Sequence, residues 1–181
     1  MDHKTGSGQR YTKIIICLLI LVTFICAGVT IYLLNKSGPE TVPAYAPQKV
    51  DDNARKVKDE GDREKLEAQE GGGAVSITYS AEVSVDLSED IVHLLVENPE
   101  RSTQDMIIQV LLPGQDDDEI EIARSELIPA GYGVSQIKLQ ESAGIAPGGY
   151  AGKIRLSYYD PDGGEKAVVN TDIPVTVTVT E

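Results

Sequence analysis

The sequence predicts an all-β domain preceded by a single transmembrane helix and a charged linker. Residues 14–34 form an uninterrupted apolar segment with no charged residue and no proline. From residue 74 onward, short runs rich in β-branched residues alternate with turns that contain proline or glycine. This second region shows no sustained helical period of apolar residues, so a helical domain is not expected there.

The apolar segment at residues 14–34 has the length of a membrane span. A helix of this length extends about 31 Å, and the hydrocarbon core of a bilayer is about 30 Å thick. The apolar region of a cleaved signal peptide is shorter, at about 7–15 residues. We therefore expect an uncleaved anchor, with a cleaved signal as the alternative.

The flanks of this segment predict its orientation. The short head at residues 1–13 carries three basic residues and one acidic residue, whereas the chain after the segment turns acidic. Because positive charge is retained on the cytoplasmic side, the N-terminus is expected in the cytoplasm. The expected location is the cell membrane, with one pass and an extracellular C-terminal domain at residues 74–181.

Residues 35–73 are predicted to be a linker. Prolines at positions 39, 43 and 47 favour an extended chain in its first part. Charged residues dominate the second part, which is expected to be solvated and at most partly helical, with a short coiled-coil stalk as an alternative. The linker is expected to let the outer domain reorient above the membrane.

Both cysteines of the chain, Cys17 and Cys26, lie in the predicted span. On a helix they are on roughly opposite faces, so they cannot form a local disulfide. The outer domain therefore has no thiol and must be held together by packing alone. This pattern favours an exported protein of a Gram-positive bacterium over a secreted animal domain.

Seven or eight short strands are expected in the outer domain, arranged as an antiparallel Ig-like β-sandwich. One side of each strand is apolar, which is the pattern of two sheets packed face to face. Pro174 is expected at a strand start, an edge or a bulge because it cannot donate to a neighbouring strand. Tyr150 follows a turn and is expected to bond to backbone at a corner. The strands are centred on residues 75–79, 83–87, 91–96, 104–112, 120–122, 137–139, 150–158 and 173–180.

The chain carries a net charge of −13 at pH 7, and all of the acidic excess follows the predicted span, because the head is net basic. An acidic surface repels nucleic acid and anionic lipid headgroups, so no nucleic-acid partner is expected. The charge is explained by solubility alone or, alternatively, by a basic partner or bound cations.

No catalytic or cofactor motif is recognisable in the outer domain. Its single histidine, His93, lies in an apolar run and is expected to be a structural residue of a strand. The nucleophile-elbow, zinc-protease and phosphate-loop patterns are missing from the sequence. We therefore expect no enzyme activity, no cofactor and no small-molecule substrate.

The acidic run at residues 116–119 and Tyr132 remain as candidates for binding. An acidic run, Asp116, Asp117, Asp118 and Glu119, follows a Pro-Gly turn. It is predicted to be a solvated hairpin tip. The alternative is a weak calcium site, because calcium takes several oxygen ligands and the run could supply some of them. Tyr132 lies between two glycines in an expected loop, which makes it a candidate contact residue, with partial burial as the alternative.

A specific order of turns and strands runs from residue 98 to the last strand. It comprises Asn98-Pro99, the sequence SELIPAG at 125–131, IKL at 137–139, Gly149-Tyr150, YYD at 158–160 and a closing V-x-V-x-V strand. This order resembles small membrane-anchored proteins of Firmicutes that have an N-terminal transmembrane helix and one Ig-like outer domain. That family often has an Asn-Gly turn in the closing region, where this chain has Val169-Asn170-Thr171. The resemblance implies the fold and the membrane placement, and it implies no catalytic residues.

The expected function is that of a binding or assembly module anchored in the membrane by residues 14–34. Its outer domain would contact another protein or a component of the cell envelope. One alternative is a structural subunit of a membrane or envelope complex that is recruited through its transmembrane helix. A third interpretation is a weak calcium-dependent binder that uses the acidic run at 116–119.

Overall fold

The computed structural model describes residues 15–16, 18–25, 42–58, 64–68, 72–114, 118–140 and 144–181. The chain divides into two units, Met1–Gly38 and Pro39–Glu181. In the first unit, residues 15–16 and 18–25 are helical and exposed. Within the described residues, none of the helical structure is both long and apolar enough to cross a membrane. Much of the predicted span, both of its cysteines and the whole predicted head lie outside the described residues.

The second unit is a β domain, which confirms the all-β prediction. The described residues of this unit form the strands β1 (Arg55–Lys56), β2 (Thr78–Tyr79), β3 (Glu82–Asp86), β4 (Ile91–Asn98), β5 (Asp105–Pro113), β6 (Glu119–Arg124), β7 (Tyr132–Lys138), β8 (Gly148–Tyr159) and β9 (Lys166–Thr180). Two differences from the prediction are large. β1 was not predicted, and β9 begins at Lys166 rather than at residue 173.

The strands form one curled sheet in the order β1-β7-β4-β3-β9-β8-β5-β6, with β2 paired to β4. The curl brings β6 back beside the residues that follow β7. Ala123 forms a bridge with Leu139, and the Gln140 N–H donates to the Ile122 carbonyl at 2.8 Å. The sheet is therefore nearly closed, and we call this contact between β6 and the end of β7 the seam.

One strand pair contradicts the prediction of a purely antiparallel sheet. β3 and β9 run parallel, with partners from Glu82 and Thr176 through to Asp86 and Thr180. The alternation of apolar and polar residues predicts which face of a strand is buried. It does not reveal the direction of the neighbouring strand, and the prediction was wrong for that reason.

One face of the curled sheet encloses a single apolar core. In β9, valines 175, 177 and 179 are buried while threonines 176, 178 and 180 are exposed, which is the period of two expected for a strand. The most enclosed core residues are Val85, Val92, Val96, Met106, Ile108, Val110, Ile122, Ile128, Ile154, Leu156 and Val177. We call the opposite face of the sheet the outer face.

Two residues occupy the positions that the sequence predicted. Pro174 pairs with Lys153 of β8 and lies before Thr176, where β3 starts to pair with β9. The missing N–H of the proline therefore falls beyond the end of β3, at an edge. The Tyr150 hydroxyl donates to the Ala146 carbonyl at 2.8 Å, which is the predicted bond to backbone at a corner.

The structure differs from the linker prediction at residues 42–58, which we call the strap. The strap is hydrogen-bonded to the β domain at three places along its length. It includes β1, which pairs with β7 through Arg55 and Lys56. The composition predicted a solvated segment, and most strap side chains are in fact exposed. The attachments use mainly backbone groups, and composition carries no information about those.

Candidate functional site

Only half of the acidic run predicted as a weak calcium site lies within the described part of the chain. Asp116 and Asp117 lie outside the described residues. The Asp118 carbonyl accepts a hydrogen bond from the Gly114 N–H at 2.7 Å, and Glu119 begins β6. No group of three or more His, Cys, Asp or Glu side chains among the described residues is arranged to hold a metal ion. The calcium interpretation stays a prediction.

Glu119 belongs instead to an ion-pair cluster on the outer face, formed with Lys153, Arg155 and Asp172. Arg155 places Nη1 2.9 Å from the Glu119 carboxylate and Nε 2.8 Å from that of Asp172. Lys153 contacts Glu119 and lies 2.9 Å from the Asp172 carboxylate. Lys153 and Arg155 alternate with the core residues Ile154 and Leu156 of β8 and therefore lie opposite the core. The two cations contact both carboxylate oxygens of Glu119.

The cluster shifts the protonation of both acids. The hydrogen bond from Arg155 is the main cause that lowers the pKa of Asp172 from 3.8 to about 2. The hydrogen bond from Lys153 likewise lowers the pKa of Glu119 below its ordinary value. Both carboxylates therefore stay charged in the folded protein at a pH where they would be partly protonated in the unfolded chain.

We expect the stabilisation from Asp172 to disappear between pH 4 and pH 2. A carboxylate whose pKa is lower in the folded state stabilises the fold above its unfolded pKa, and this contribution is lost as the pH falls through the folded pKa. The melting temperatures of the wild type and of Asp172→Asn should therefore differ at pH 7 and converge near pH 2. Asp162→Asn, at an exposed turn residue, is the matched control. A wild-type-to-variant difference that stayed constant down to pH 2 would contradict this prediction.

Tyr132 does not lie in a flexible loop. It begins β7, where it pairs with Lys56 of β1 and Asn98 of β4. Its side chain is half-buried and packs against the apolar core. Its role as a contact residue stays a prediction.

His93 is exposed on the outer face of β4. Its register partners are Ser84 on β3 and Gln136 on β7. A position in the middle of a sheet, between polar neighbours, fits the predicted role of a structural strand residue.

A buried polar cluster that the sequence did not predict lies at the seam. Glu121 is only 9% exposed although it points to the outer face. Its carboxylate accepts hydrogen bonds from Gln109 Nε2 at 2.5 Å and Gln140 Nε2 at 2.8 Å. Arg124 donates two more, from Nε at 2.7 Å and Nη2 at 2.8 Å. One carboxylate thus ties β5, β6 and the residues after β7 together, which is a structural rather than a catalytic arrangement.

An open groove lies beside the start of β9, and we call it the apolar groove. Its volume is about 1170 Å³. Its lining includes Val75 and Ile77 from the segment before β2 and Ala167, Val168 and Val169 of β9. These five side chains form the apolar part of the groove.

The exposure of two valines in the groove follows from the register of β8 and β9. Ser157 pairs with Asn170, and the next pair is Tyr159 with Lys166. Four steps along β9 thus match two steps along β8, so β9 bulges outward between these pairs. The bulge leaves Val168 98% exposed and Val169 69% exposed. Alternation along the strand would have buried one of the two.

Polar groups also line the apolar groove. Asp160 and Glu165 are acidic, and Lys166, which also lines the groove, donates to Asn170 Oδ1 at 2.8 Å. The Tyr158 hydroxyl donates to Thr171 Oγ1 at 2.8 Å, and burial raises the pKa of Tyr158. The lining is therefore a mixture of apolar and polar residues, with two acidic residues and one basic residue among them.

Sequence reasoning missed this site although one signal for it was present. The apolar run Ala167-Val168-Val169 follows directly after the turn at residues 160–165. If this run had been interpreted as the start of a strand, the predicted beginning of β9 would have been close to the observed one. The bulge itself depends on register with β8, and no local pattern reports that register.

Comparison with known proteins gives little further information. No family model matches the chain, and no curated protein matches it in sequence. Among solved structures, the chain is similar to AggA, the major subunit of aggregative adherence fimbriae type I from Escherichia coli. The TM-score is 0.34 and the identity 10%, over 65% of this chain and 100% of that chain. A likeness at this level establishes neither the fold family nor the function of the chain.

Proposed function

We propose that this protein is a membrane-anchored, extracytoplasmic binding or assembly module without catalytic activity. In this proposal residues 14–34 anchor the chain once in the cell membrane, with the N-terminus in the cytoplasm. The Ig-like β domain stands outside and contacts another protein through the apolar groove. The membrane placement is supported by the length and flanks of the apolar segment and by the resemblance to membrane-anchored proteins of Firmicutes.

The observation that carries the binding role is the exposure of Val168 and Val169 in the bulge of β9. Burying apolar surface is worth about 25 cal/mol per Å², so two neighbouring valines held in solvent forgo stabilisation that packing would give. Scattered exposed apolar residues are ordinary, but contiguous apolar patches rimmed by polar groups mark interaction sites. Here the two valines adjoin Val75 and Ile77, and Asp160 and Glu165 rim them.

The chemistry of the groove indicates the chemistry of its partner. The apolar part of the groove would accept apolar side chains. Asp160 and Glu165 in its lining, together with the net charge of −13, favour a partner with lysine or arginine next to those apolar residues. We therefore propose a protein segment that is apolar and basic rather than an acidic or polysaccharide ligand.

The proposal is tested by photo-crosslinking in cells that produce the full chain. A photo-reactive residue replaces Val168 in one variant and Lys138, which is exposed on β7, in the control. We expect a discrete adduct from position 168 that is lost when Val169→Asp is added. The adduct should persist when Thr178→Asp, an exposed substitution elsewhere in β9, is added instead. Equal adducts from both positions, or none from position 168, would overturn the proposal.

The same assay distinguishes the proposed role from the alternative one, in which the protein is a structural subunit recruited through its membrane helix. In a further variant, residues 14–34 are exchanged for an unrelated apolar anchor of equal length. If the adduct from position 168 persists, the segment serves only as an anchor. Loss of the adduct, with the protein still in the membrane, would favour recruitment through the helix.

A further inference from the structure

The strap is attached to the β domain by backbone hydrogen bonds more than by buried side chains. Ala46 donates to the Gly164 carbonyl at 2.7 Å, Asp51 to that of Leu127 at 2.9 Å and Val57 to that of Gly131 at 2.9 Å. Tyr45 and Val50 of the strap are 64% and 43% exposed, and Val42, Ala54 and Val57 are half-buried. No strap residue is fully buried, so apolar packing holds the strap less firmly than it holds the strands of the core.

Side chains add few further attachments. The Tyr159 hydroxyl donates to the Pro43 carbonyl at 3.0 Å, and the Glu126 N–H donates to Asp51 Oδ2 at 2.9 Å. The Gln136 amide donates to Asn53 at 3.3 Å. Ordering each strap residue costs conformational entropy, and each of these hydrogen bonds returns only a small net gain because it replaces a bond to water.

The attachments follow one another along the chain and can therefore open in sequence. The first lies at the turn between β8 and β9, the second at the connection between β6 and β7, and the third at the start of β7. The pairing of β3 with β9 is different. It has five consecutive register pairs, and Val85, Val177 and their neighbours on these strands are buried in the core.

We propose that the strap opens as a separate unit while the β domain stays folded, and so acts as an extensible tether. The opening itself needs no membrane, whereas its use as a tether rests on the anchoring given under the proposed function. Released residues 42–57 would add at most about 55 Å to the reach of the chain. The opening leaves the lining of the groove and the buried core residues in place, because neither set includes a strap residue, and it removes only the packing of Ala54 against the core.

Native-state hydrogen exchange on the full chain in detergent micelles tests the proposal. We expect the amides of Ala46, Asp51 and Val57 to exchange at least 100-fold faster than core-strand amides such as that of Thr176, which donates to the Ala81 carbonyl. Exchange in the strap should be insensitive to low denaturant, since local opening exposes little surface. If strap and core amides exchange at the same rate, with the same denaturant dependence, the proposal is wrong.

A variant with a disulfide between the strap and the β domain provides a matched comparison of its oxidised and reduced forms. Tyr45 and Glu165 form an antiparallel bridge flanked by hydrogen bonds between residues 44–46 and 164–166. Such a non-hydrogen-bonded pair has the close Cβ atoms that a disulfide needs. In a Cys17→Ser, Cys26→Ser background, oxidised Tyr45→Cys/Glu165→Cys should slow exchange at Ala46 at least tenfold relative to its reduced form. Unchanged exchange in the oxidised form would contradict opening from this end. Neither readout involves a partner, so its outcome is independent of the crosslinking test.

Discussion

The Glu121→Gln variant is expected to be less stable than the wild type by about 3 kcal/mol, because removing one partner of a buried ion pair leaves the other charge uncompensated. The Glu121 carboxylate accepts four N–H bonds from three side chains. A glutamine of the same shape offers one oxygen and turns an NH₂ group towards at least one of those donors. The contact between Glu121 of β6 and Gln140, which follows β7, would be weakened as a result.

Urea denaturation followed by circular dichroism measures this loss. Glu126→Gln is the matched control, because Glu126 is exposed and lies a few residues away in the same part of the chain. Its effect should stay within about 0.5 kcal/mol, as is usual for surface substitutions. If Glu121→Gln were as mild as the control, the carboxylate would not be holding the seam.

The Tyr159→Ala variant should lose about 4 kcal/mol of unfolding free energy, which is typical when a large buried ring is removed and a cavity remains. Tyr159 is fully buried at the end of β8 although the core cluster does not include it. Its hydroxyl reaches the Pro43 carbonyl of the strap. The substitution therefore removes both packing on the outer face and one attachment of the strap.

A second variant separates these two contributions. Tyr159→Phe keeps the ring and removes only the donor, so it should cost about 1 kcal/mol and accelerate amide exchange in the strap. Tyr79→Ala, at a tyrosine that is 48% exposed, serves as the control for removal of a ring at the surface. The expectation fails if Tyr159→Ala and Tyr79→Ala have equal unfolding midpoints in urea.

The strand pattern was predictable from sequence wherever one face of a strand is buried. The alternating valines and threonines after Pro174 correctly indicated which residues of β9 enter the core, and Lys153 and Arg155 were correctly placed outside. The direction of β3 relative to β9 was not predictable, because both directions bury the same alternate residues. The early start of β9 was missed because its bulge interrupts the alternation.

The candidate groove and the strap were not predictable for a related reason. The exposure of Val168 depends on the register between β8 and β9, and the docking of the strap depends on backbone groups of distant residues such as Gly164 and Leu127. Burial of Glu121 likewise depends on Gln109 and Gln140, which are distant in sequence. Local patterns report the chemistry of side chains, whereas these features arise from pairings across the sheet.

The central place of β9 has a consequence for the biosynthesis of the domain. β9 follows all other strands in the chain, yet it lies between β3 and β8 and contributes valines to the core. While the chain emerges from the ribosome or crosses a membrane, β3 and β8 have no common neighbour until β9 appears. The earlier strands therefore expose their apolar faces throughout synthesis, when chaperones can bind them. Closure of the sheet is a late event, and it depends on contacts between residues far apart in the chain, which makes folding slow.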